Sequence, residues 1–471
     1  MLLGGSNMFF KKQHTFNNKE LIKASLYGFF IGDALGVPVE FVPRANLKNN
    51  PIIDMEGFGT HYQPKGTWSD DSSMVLATID GLLKGNMDYQ LIMDNFLNWK
   101  QKGEYTPFHQ IFDIGNSTSA ALSAYHNNKL QNHPEKIACG SDSIHANGNG
   151  SLMRILPISF YLFYSNIDYT QPKFLEIIQT ISSMTHSHSY SIYGCYIYSI
   201  FVFELLKGID KYQAYKNMQE ICKEYIKLDD VKSVYSKILF ENISKEKETN
   251  IKSSGYVVDS LEACIWSVLT SNSFEKAVLK AVNLGDDTDT IGALTGALAG
   301  LIFGYDAIPK KWITSLQRKD YLEQMISDYE TYLNNLNSIS KKGEIEKMKK
   351  IDLNMLEETI KDLKTNPNAC TTIGGTTSED GVYTIPESNP GEQLSQFMKY
   401  LYENDLMDYQ YVENYEKIKD KDIEDYTYEE ALTAITTIIR SDRFVSCNLY
   451  QAVKEGTLLK ILQRLKDLSK E

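Results

Sequence analysis

Apolar residues recur at helical spacing over most of the chain, and alternating strand patterns are scarce. Residues three and four apart lie on one face of a helix, so this recurrence predicts helices with one buried side. The fold class predicted for the first part of the chain is therefore all-α. Its predicted helices are 19–34, 72–84, 89–100, 117–126, 173–183, 189–207, 212–227, 230–242, 256–270, 274–283, 290–304 and 319–336.

The pattern changes near residue 340, which predicts a second domain. Residues 340–350 are dense in charge, and residues 366–392 are rich in Gly, Thr, Ser, Pro and Asn. Segments of this kind bury little apolar surface and are typical of connectors. Helical spacing returns at 393–404, 408–418, 427–440 and 456–469. We predict a compact multi-helix domain at 15–340, a charged connector and irregular linker at 341–391, and a small helical domain at 392–471.

The formal net charge of −13 narrows the classes of partner. Nonspecific nucleic-acid binding and binding to anionic membranes both need a basic face, so neither is expected. No apolar run is long enough for a membrane span, and the N-terminus lacks the basic start of a signal peptide. The six cysteines show no regular spacing, which indicates reduced thiols. We therefore expect a cytoplasmic protein.

Small residues recur at every fourth position in two of the predicted helices. Glycine inside a helix costs ~1 kcal/mol relative to alanine, so such a stripe needs a reason. Close approach of another backbone is the simplest one. The two stripes are Ala24, Gly28, Gly32 and Gly36, and Gly292, Gly296, Gly300 and Gly304. We predict that these helices pack tightly and bring the acidic residues at their ends, Asp33 and Glu40 with Asp287 and Asp289, to one end of the core.

Two acidic clusters precede apolar helical runs, one at residues 69–73 (SDDSS) and one at residues 285–290 (GDDTDT). One Ser or Asp suffices to cap a helix, whereas adjacent carboxylates repel each other. Capping therefore does not explain the full sets. Carboxylate and hydroxyl oxygens are hard ligands that suit Mg²⁺, Mn²⁺ or Ca²⁺. We predict a two-metal site built from Ser69, Asp70 and Asp71 and from Asp287, Asp289 and Thr290, with Asp286 as a cap or supporting residue.

Two loops before predicted helices are rich in Gly, Asn and hydroxyl residues. Backbone N–H groups at such turns can bind phosphate, although glycine turns before helices are common. His186 is a candidate pocket residue. The pair of His186 and His188 also suggests a zinc site, but this alternative is weaker because neither cysteine nor a third histidine stands nearby. Arg154 suits either a phosphate or a structural ion pair. The two loops comprise Gly115, Asn116, Ser117 and Thr118, and Gly148, Asn149, Gly150 and Ser151.

Seven motifs stand in an order that resembles the ADP-ribosylglycohydrolase family, particularly bacterial members of the dinitrogenase reductase-activating type. The resemblance covers roughly residues 20–335 and implies an all-α fold with two Mg²⁺ ions, or Mn²⁺, at the base of an ADP-ribose cleft. Ser69 and Ser72 stand where the family usually has threonine, and serine keeps the hydroxyl. The motifs are GFFIGDALGVPVEF, GTWSDDSSM, DIGNSTSAAL, NGNGSLMRILPI, MTHSH, SGYVVDSLEACIW and AVNLGDDTDTIGALTGALAG.

The resemblance also implies roles for the candidate residues. The metals would hold the ribose 2′ and 3′ hydroxyls and a water, and the two Gly-rich loops with His186 would line the ADP-ribose site. The general base stays open among the acidic residues. The metal ligands implied are Ser69, Asp70, Asp71, Asp287, Asp289 and Thr290, and the catalytic candidates are Asp70, Asp71, Glu40 and Asp287.

The function predicted is a metal-dependent hydrolase that releases ADP-ribose from a protein side chain, with arginine favoured. Alternatives are a catalytically silent ADP-ribose-binding module, a hydrolase of serine-linked or small-molecule ADP-ribose conjugates, and a two-metal phosphoesterase. The C-terminal part weakly resembles a small uncharacterised bacterial domain. It is interpreted either as a packing helix pair or as a module that recruits a protein partner, with Arg440, Arg443 and Phe444 as the residues of interest.

Overall fold

The computed structural model describes residues 18–347, 351–377, 383–404, 406–408, 411–442 and 446–469. The chain divides into two compact units, residues 1–340 and 341–471. The N-terminal segment, Arg443 and Phe444 lie outside the described residues. Within them the fold is all-α apart from one short pair of strands, which confirms the predicted fold class.

The α-helices of the first unit form its apolar core. They are α1 Asn18–Gly36, α2 Arg44–Asn49, α3 Asp70–Gly85, α4 Tyr89–Lys102, α5 Asn116–Leu130, α6 Leu156–Tyr164, α7 Pro172–Ser183, α8 Ser189–Leu206, α9 Lys211–Tyr225, α10 Asp229–Val234, α11 Ser236–Phe240, α12 Val257–Leu269, α13 Phe274–Val282, α14 Thr288–Phe303, α15 Lys310–Ser315 and α16 Lys319–Lys347.

Most predicted helices lie within a few residues of the observed ones, and two differences are informative. The helix predicted at 230–242 is broken into α10 and α11. Helix α6 was missed because its sequence, LPISFYLFY, is apolar on nearly every side. A helix that is buried all round shows no polar face, so the periodicity that signals an amphipathic helix is absent.

The packing of α1 along α14 is the centre of the first unit. The two glycine stripes face each other, since a Cβ added at Gly28 would overlap the carbonyl oxygen of Gly296. A Cβ added at Gly32 would overlap that of Gly292 in the same way. Ser25 Oγ donates to Ala297 O at 3.0 Å, which ties the helices together where the backbones are close. The predicted close approach is therefore confirmed.

Within the part of the chain that the structure describes, two helices are long and apolar enough to cross a membrane, although the sequence predicted no run of that length. These stretches, Glu20–Val39 and Ser189–Leu206, are 89% and 83% buried inside the protein. Central helices of a folded core meet the same criteria of length and composition. Here the apolar surface of both helices is covered by the rest of the first unit.

The second unit has its own apolar core. The sequence predicted a connector and irregular linker at 341–391, and the structure differs there, because a helix and two paired strands occupy much of it. Buried Leu356, Thr359 and Ile360 follow helical spacing that the surrounding charges obscured. Its elements are α17 Leu353–Thr365, β1 Cys370–Ile373, β2 Glu387–Pro390, α18 Glu392–Glu403, α19 Tyr411–Ile418, α20 Tyr428–Ser441, α21 Asn448–Lys454 and α22 Thr457–Leu468.

Strands β1 and β2 are antiparallel, with Cys370 opposite Pro390. On α20, the guanidinium of Arg440 lies 5.5 Å from the ring centre of Tyr402, and Nη2 donates to its hydroxyl at 3.1 Å. Arg440 is thus engaged within its own unit.

Gly32→Ala is expected to lower the free energy of unfolding by about 3 kcal/mol or more, because two backbones would have to separate. Chemical denaturation of the purified protein measures this. Gly115→Ala is the matched control, since its added Cβ would meet nothing closer than 4.0 Å. Equal stability of both variants would contradict the proposed role of the stripe.

Candidate functional site

Three helix ends meet where the acidic residues cluster. Helix α14 begins beside the end of α1, since Thr288 Oγ1 donates to Gly36 O at 2.8 Å. The start of α3 reaches the same point, because Thr290 Oγ1 donates to Asp71 Oδ2 at 3.3 Å. Carboxylate oxygens of Glu40, Asp287 and Asp289 lie within 4.8 Å of one another. The tertiary fold therefore brings residues from three distant parts of the sequence into one cluster.

Three aspartates of this cluster, Asp71, Asp287 and Asp289, share a pattern. Each is anchored through one oxygen: Asp71 Oδ2 accepts from Ser69 Oγ at 3.1 Å, Asp287 Oδ2 from Asn149 Nδ2 at 2.7 Å, and Asp289 Oδ1 from Thr290 N at 2.9 Å. The other oxygen of each (Asp71 Oδ1, Asp287 Oδ1 and Asp289 Oδ2) is buried and has no hydrogen-bond partner among the described residues.

Buried polar atoms are nearly always partnered, so three unpartnered carboxylate oxygens in one cluster are suited to a ligand. Hard oxygen donors of this kind fit a divalent cation such as Mg²⁺ or Mn²⁺. The residues present therefore fit the metal that the resemblance implies. The hydroxyls of Ser69 and Thr290, which were predicted as ligands, both donate to Asp71.

Burial also acts on the acidities of these groups. Desolvation raises the pKa of Asp70, Asp71 and Asp289 well above its ordinary value, and neighbouring carboxylates raise it further. Desolvation raises the pKa of Asp287 as well. A cation among them would offset both effects, because an adjacent positive charge favours the ionised carboxylate.

Asp33, on α1, holds the start of α3 in place. Its carboxylate accepts hydrogen bonds from the backbone N–H of Ser69 at 2.9 Å and of Ser72 at 3.0 Å, and from the Ser72 hydroxyl at 2.5 Å. The N–H groups of a first helical turn have no partner within the helix. Asp33 supplies one from a different helix, and it thereby sets the position of Asp70 and Asp71.

A cavity of about 250 Å³ lies over the acidic cluster. Its lining includes residues of both Gly-rich loops. Helix α5 begins within the first of these loops. Of the residues predicted to bind substrate, only Ser151 is absent from the lining. It is buried beneath the loop, where its Oγ accepts from Ser182 Oγ at 3.0 Å. The others that line it are Gly115, Asn116, Ser117, Thr118, Gly148, Asn149, Gly150 and His186, together with Glu40, Asp70, Asp287 and Thr290.

His186 is a neutral side chain. Burial lowers its pKa to about 3, and nearby Arg154 lowers it as well. Arg154 is fully buried, and its guanidinium donates to Ile181 O at 3.0 Å and to Gly150 O. Arg154 thus stabilises the second glycine loop through its hydrogen bond to Gly150 O. His188 caps α8 by accepting from Tyr190 N at 3.2 Å, which gives it a structural role rather than the zinc-binding one that was considered.

Asp286 does not cap α14, because the N-cap position belongs to Asp287. Its own carboxylate is exposed and accepts from Ser253 Oγ at 3.2 Å. The backbone of Asp286 instead pairs with the segment after α1: Phe41 N donates to its carbonyl at 2.6 Å, and its N–H donates to Val42 O at 3.0 Å.

The sequence did not single out His61, Phe41 or Asp113. Phe41 and Asp113 line the cavity. His61 Nε2 lies 2.5 Å from Glu40 Oε2, and Asp113 belongs to the same group of potential ligands. Burial raises the pKa of Glu40 to about 7. The hydrogen bond that His61 makes with Glu40 raises the pKa of His61. Asp113 opens the quoted motif DIGNSTSAAL, whereas the loop that carries His61 has no sequence signal.

Comparison with known proteins adds a family to this geometry. A family model described as ADP-ribosylglycohydrolase matches residues 15–338, and one described as a family of unknown function (DUF6508) matches residues 348–471. The chain is 32% identical over 307 residues to ADP-ribosylarginine hydrolase Tri1 of Serratia proteamaculans (strain 568), covering 64% of this chain and 77% of the relative.

Two further similarities cover the same part of the chain. ADP-ribosyl-(dinitrogen reductase) glycohydrolase of Rhodospirillum rubrum is 27% identical over 295 residues, which are 62% of this chain and 88% of the relative. A solved structure of an ADP-ribosylglycohydrolase-related protein complex superposes with a TM-score of 0.55 at 26% identity, covering 68% of this chain and 99% of the solved one.

Asp33→Ala is expected to lower the free energy of unfolding by about 3 kcal/mol, because it leaves buried N–H groups unpartnered. It should also weaken Mg²⁺ binding, measured as the shift of Tm with added Mg²⁺. Ser273→Ala is the control: it removes the cap of α13, is expected to cost about 1 kcal/mol, and should leave the Mg²⁺-dependent shift unchanged. An unchanged shift in Asp33→Ala would contradict this role.

Proposed function

The chain belongs to the ADP-ribosylglycohydrolase family, and from that premise we propose that it is a divalent-metal-dependent hydrolase that removes ADP-ribose from arginine side chains of proteins. The observation that carries the proposal is the row of three orphaned carboxylate oxygens beneath a cavity lined by two Gly-rich loops. A cation site and an anion-binding surface in one cavity suit a ligand that has sugar hydroxyls at one end and phosphates along its length.

The residues proposed to hold two Mg²⁺ ions, or Mn²⁺, are those of the acidic cluster. A bound divalent cation supplies a Lewis acid that fixes sugar hydroxyls and lowers the pKa of a water. The anchored oxygens keep the three carboxylates from rotating, so their free oxygens stay directed into the cluster. The proposed ligand set is Ser69, Asp70, Asp71, Asp287, Asp289 and Thr290.

The two glycine loops are proposed to bind the ADP-ribose. Backbone N–H groups at the start of α5 and those of Gly148 and Gly150 can donate to phosphate oxygens, whereas the N–H of Asn149 donates to Gly255 O at 3.0 Å. Neutral His186 adds a ring that can donate or accept without carrying charge. Asn149 connects both parts of the site, because its amide donates to Asp287 Oδ2 while its loop lines the cavity.

Arginine is favoured as the linked side chain on electrostatic grounds. Glu40 and Asp113 place two more carboxylates at the cavity wall, and the guanidinium that leaves on hydrolysis carries a positive charge. The hydrogen-bonded pair of Glu40 and His61 can hold a proton beside the reacting bond and is proposed to move it during hydrolysis. Two similar proteins are named ADP-ribosylarginine hydrolases, which supports the same linkage.

The test is release of ADP-ribose from an arginine-ADP-ribosylated protein in the presence of Mg²⁺. We expect turnover that stops with EDTA and falls by about 100-fold or more in Asp287→Asn, which removes the charge of one proposed metal ligand. Asp286→Asn is the matched control, because Asp286 is adjacent in sequence but does not line the cavity, and its carboxylate accepts from Ser253 Oγ. This variant should keep near-normal activity.

Parallel assays on a serine-ADP-ribosylated peptide and on a phosphodiester separate the remaining functions. Turnover of the serine linkage alone would contradict the arginine assignment, and cleavage of the phosphodiester alone would indicate a phosphoesterase. Binding of ADP-ribose without turnover of any substrate would indicate a catalytically silent binding module.

Metal binding itself is expected to stabilise the protein. At a Mg²⁺ concentration of about 100 times the Kd, the free energy of unfolding should rise by about 2.7 kcal/mol, because the ion binds only the folded state. Thermal unfolding with and without Mg²⁺ measures this. The gain should be lost in Asp287→Asn and retained in Asp286→Asn. The same Tm with and without Mg²⁺ in the unaltered protein would contradict the metal site.

A further inference from the structure

Three large exposed aromatic side chains lie in the two segments that carry Glu40 and His61. Phe41, Phe58 and Tyr62 are 65%, 60% and 82% exposed, and we call them the aromatic rim. Phe41 also lines the cavity, so the rim begins at its mouth. The ring of His61 lies 6.0 Å from that of Phe41, and the ring of Phe58 lies 6.5 Å from that of Tyr62. Clustered exposed rings of this size mark interaction surfaces more often than single ones do.

The backbone at the rim is held in an unfavourable conformation. Phe41, Phe58 and Tyr62 have φ angles of 63°, 70° and 57°. Positive φ in bulky residues costs of order 1 kcal/mol or more each, and it persists only where surrounding contacts enforce it. Those contacts are Phe41 N to Asp286 O at 2.6 Å, Phe58 N to Gln63 O at 2.5 Å, and Thr60 Oγ1 to Glu40 O at 2.7 Å.

These contacts couple the rim to the site. Asp286 is next to Asp287 of the acidic cluster, and Glu40 is itself a cavity residue. The backbone that bears the three rings is therefore fixed by contacts with the segments that carry the catalytic candidates. A fixed backbone and side chains with only two rotatable bonds lose little conformational entropy when they bind a partner.

We propose that the aromatic rim binds the polypeptide segment that carries the ADP-ribosylated side chain. The proposal rests on the proposed function, because it takes the cavity as the ADP-ribose site. The ADP-ribose is bonded directly to the guanidinium of the arginine, so the backbone that bears this side chain has to pass near the cavity mouth once the ADP-ribose is inside. The rim begins at that mouth and offers apolar area to the residues flanking the modified arginine.

Charge favours the polypeptide over the nucleotide as occupant of the rim. Phe41 follows Glu40 directly, and Asp113 belongs to the same group of acidic and histidine side chains as Glu40 and His61. These carboxylates repel a diphosphate and attract the cationic residues of an arginine-bearing segment. The loops suited to phosphate are the glycine loops within the cavity.

The test compares binding of two ligands to the full chain with Mg²⁺. One is an arginine-ADP-ribosylated protein, and the other is free ADP-ribose. The variant is Phe58→Asn with Tyr62→Asn, since asparagine tolerates positive φ better than most residues and removes both rings without touching the cavity. Leu130→Ser is the control, because Leu130 is an equally exposed apolar residue, 70% exposed, at the far end of α5.

We expect the double variant to raise the Kd, and the KM, for the modified protein by about tenfold, with less than about a twofold change for free ADP-ribose. Leu130→Ser should change neither. An equal loss for both ligands, or no loss for the modified protein, would overturn the proposal. So would a change from dimer to monomer in the double variant, since the rim would then bind a second copy of the chain.

The binding readout keeps this proposal separate from the proposed function. If the unaltered protein binds the modified protein more tightly than free ADP-ribose but hydrolyses neither, the proposed activity fails, and the effect of the double variant still decides the role of the rim. If the unaltered protein shows no preference for the modified protein, the rim proposal fails whatever its activity.

Discussion

The close contact between α1 and α14 is the constraint on which the rest of the first unit depends. Two helices can approach this closely only where neither has a Cβ, and the facing glycines at positions 28 and 296 and at 32 and 292 provide that. The contact continues to the end that carries the site, where a Cβ at Gly36 would overlap the backbone of Asp289. The acidic cluster is therefore positioned by backbone packing, which is far stiffer than side-chain packing.

Stiffness matters because a cluster of buried carboxylates repels itself. Each of three aspartates is fixed by a hydrogen bond at one oxygen, and Asp33 fixes the helix start that carries two of the cluster residues, Asp70 and Asp71. Such an arrangement opposes the relaxation that would move the charges apart. It is the arrangement expected of a preorganised cation site, in which the protein bears the electrostatic cost before the ion binds.

The cavity wall combines groups with different electrostatic preferences. The glycine loops are proposed to bind the phosphates, whereas the carboxylates of Glu40 and Asp113 suit a cation. Neutral His186 lies on the side of the loops. Arg154 stabilises the second loop by donating a hydrogen bond to Gly150 O. The glycosidic bond of an ADP-ribosyl-arginine joins an anionic part to a cationic one, so a wall divided in this way matches both ends of the substrate that we propose.

The sequence by itself determined the helical fold class, the position of most helices and the close packing of α1 on α14, because periodicity and glycine spacing are local signals. It also marked both acidic clusters, since three carboxylates in four residues exceed what a helix cap needs. The sequence did not predict helices α6 and α17. Helix α6 is apolar on nearly every side, and α17 stands among many charged residues, so neither shows a clear amphipathic pattern.

Only the tertiary structure decided the partners of Asp71 and Asp287 across the cluster, because the hydrogen bonds from the Thr290 hydroxyl and the Asn149 amide depend on how distant segments meet. It placed Ser151 beneath the loop rather than in the cavity. It also brought His61 to Glu40 and placed Phe41 of the aromatic rim at the cavity. These residues lie in loops without periodicity, and their positions follow from backbone contacts between segments that the sequence keeps far apart.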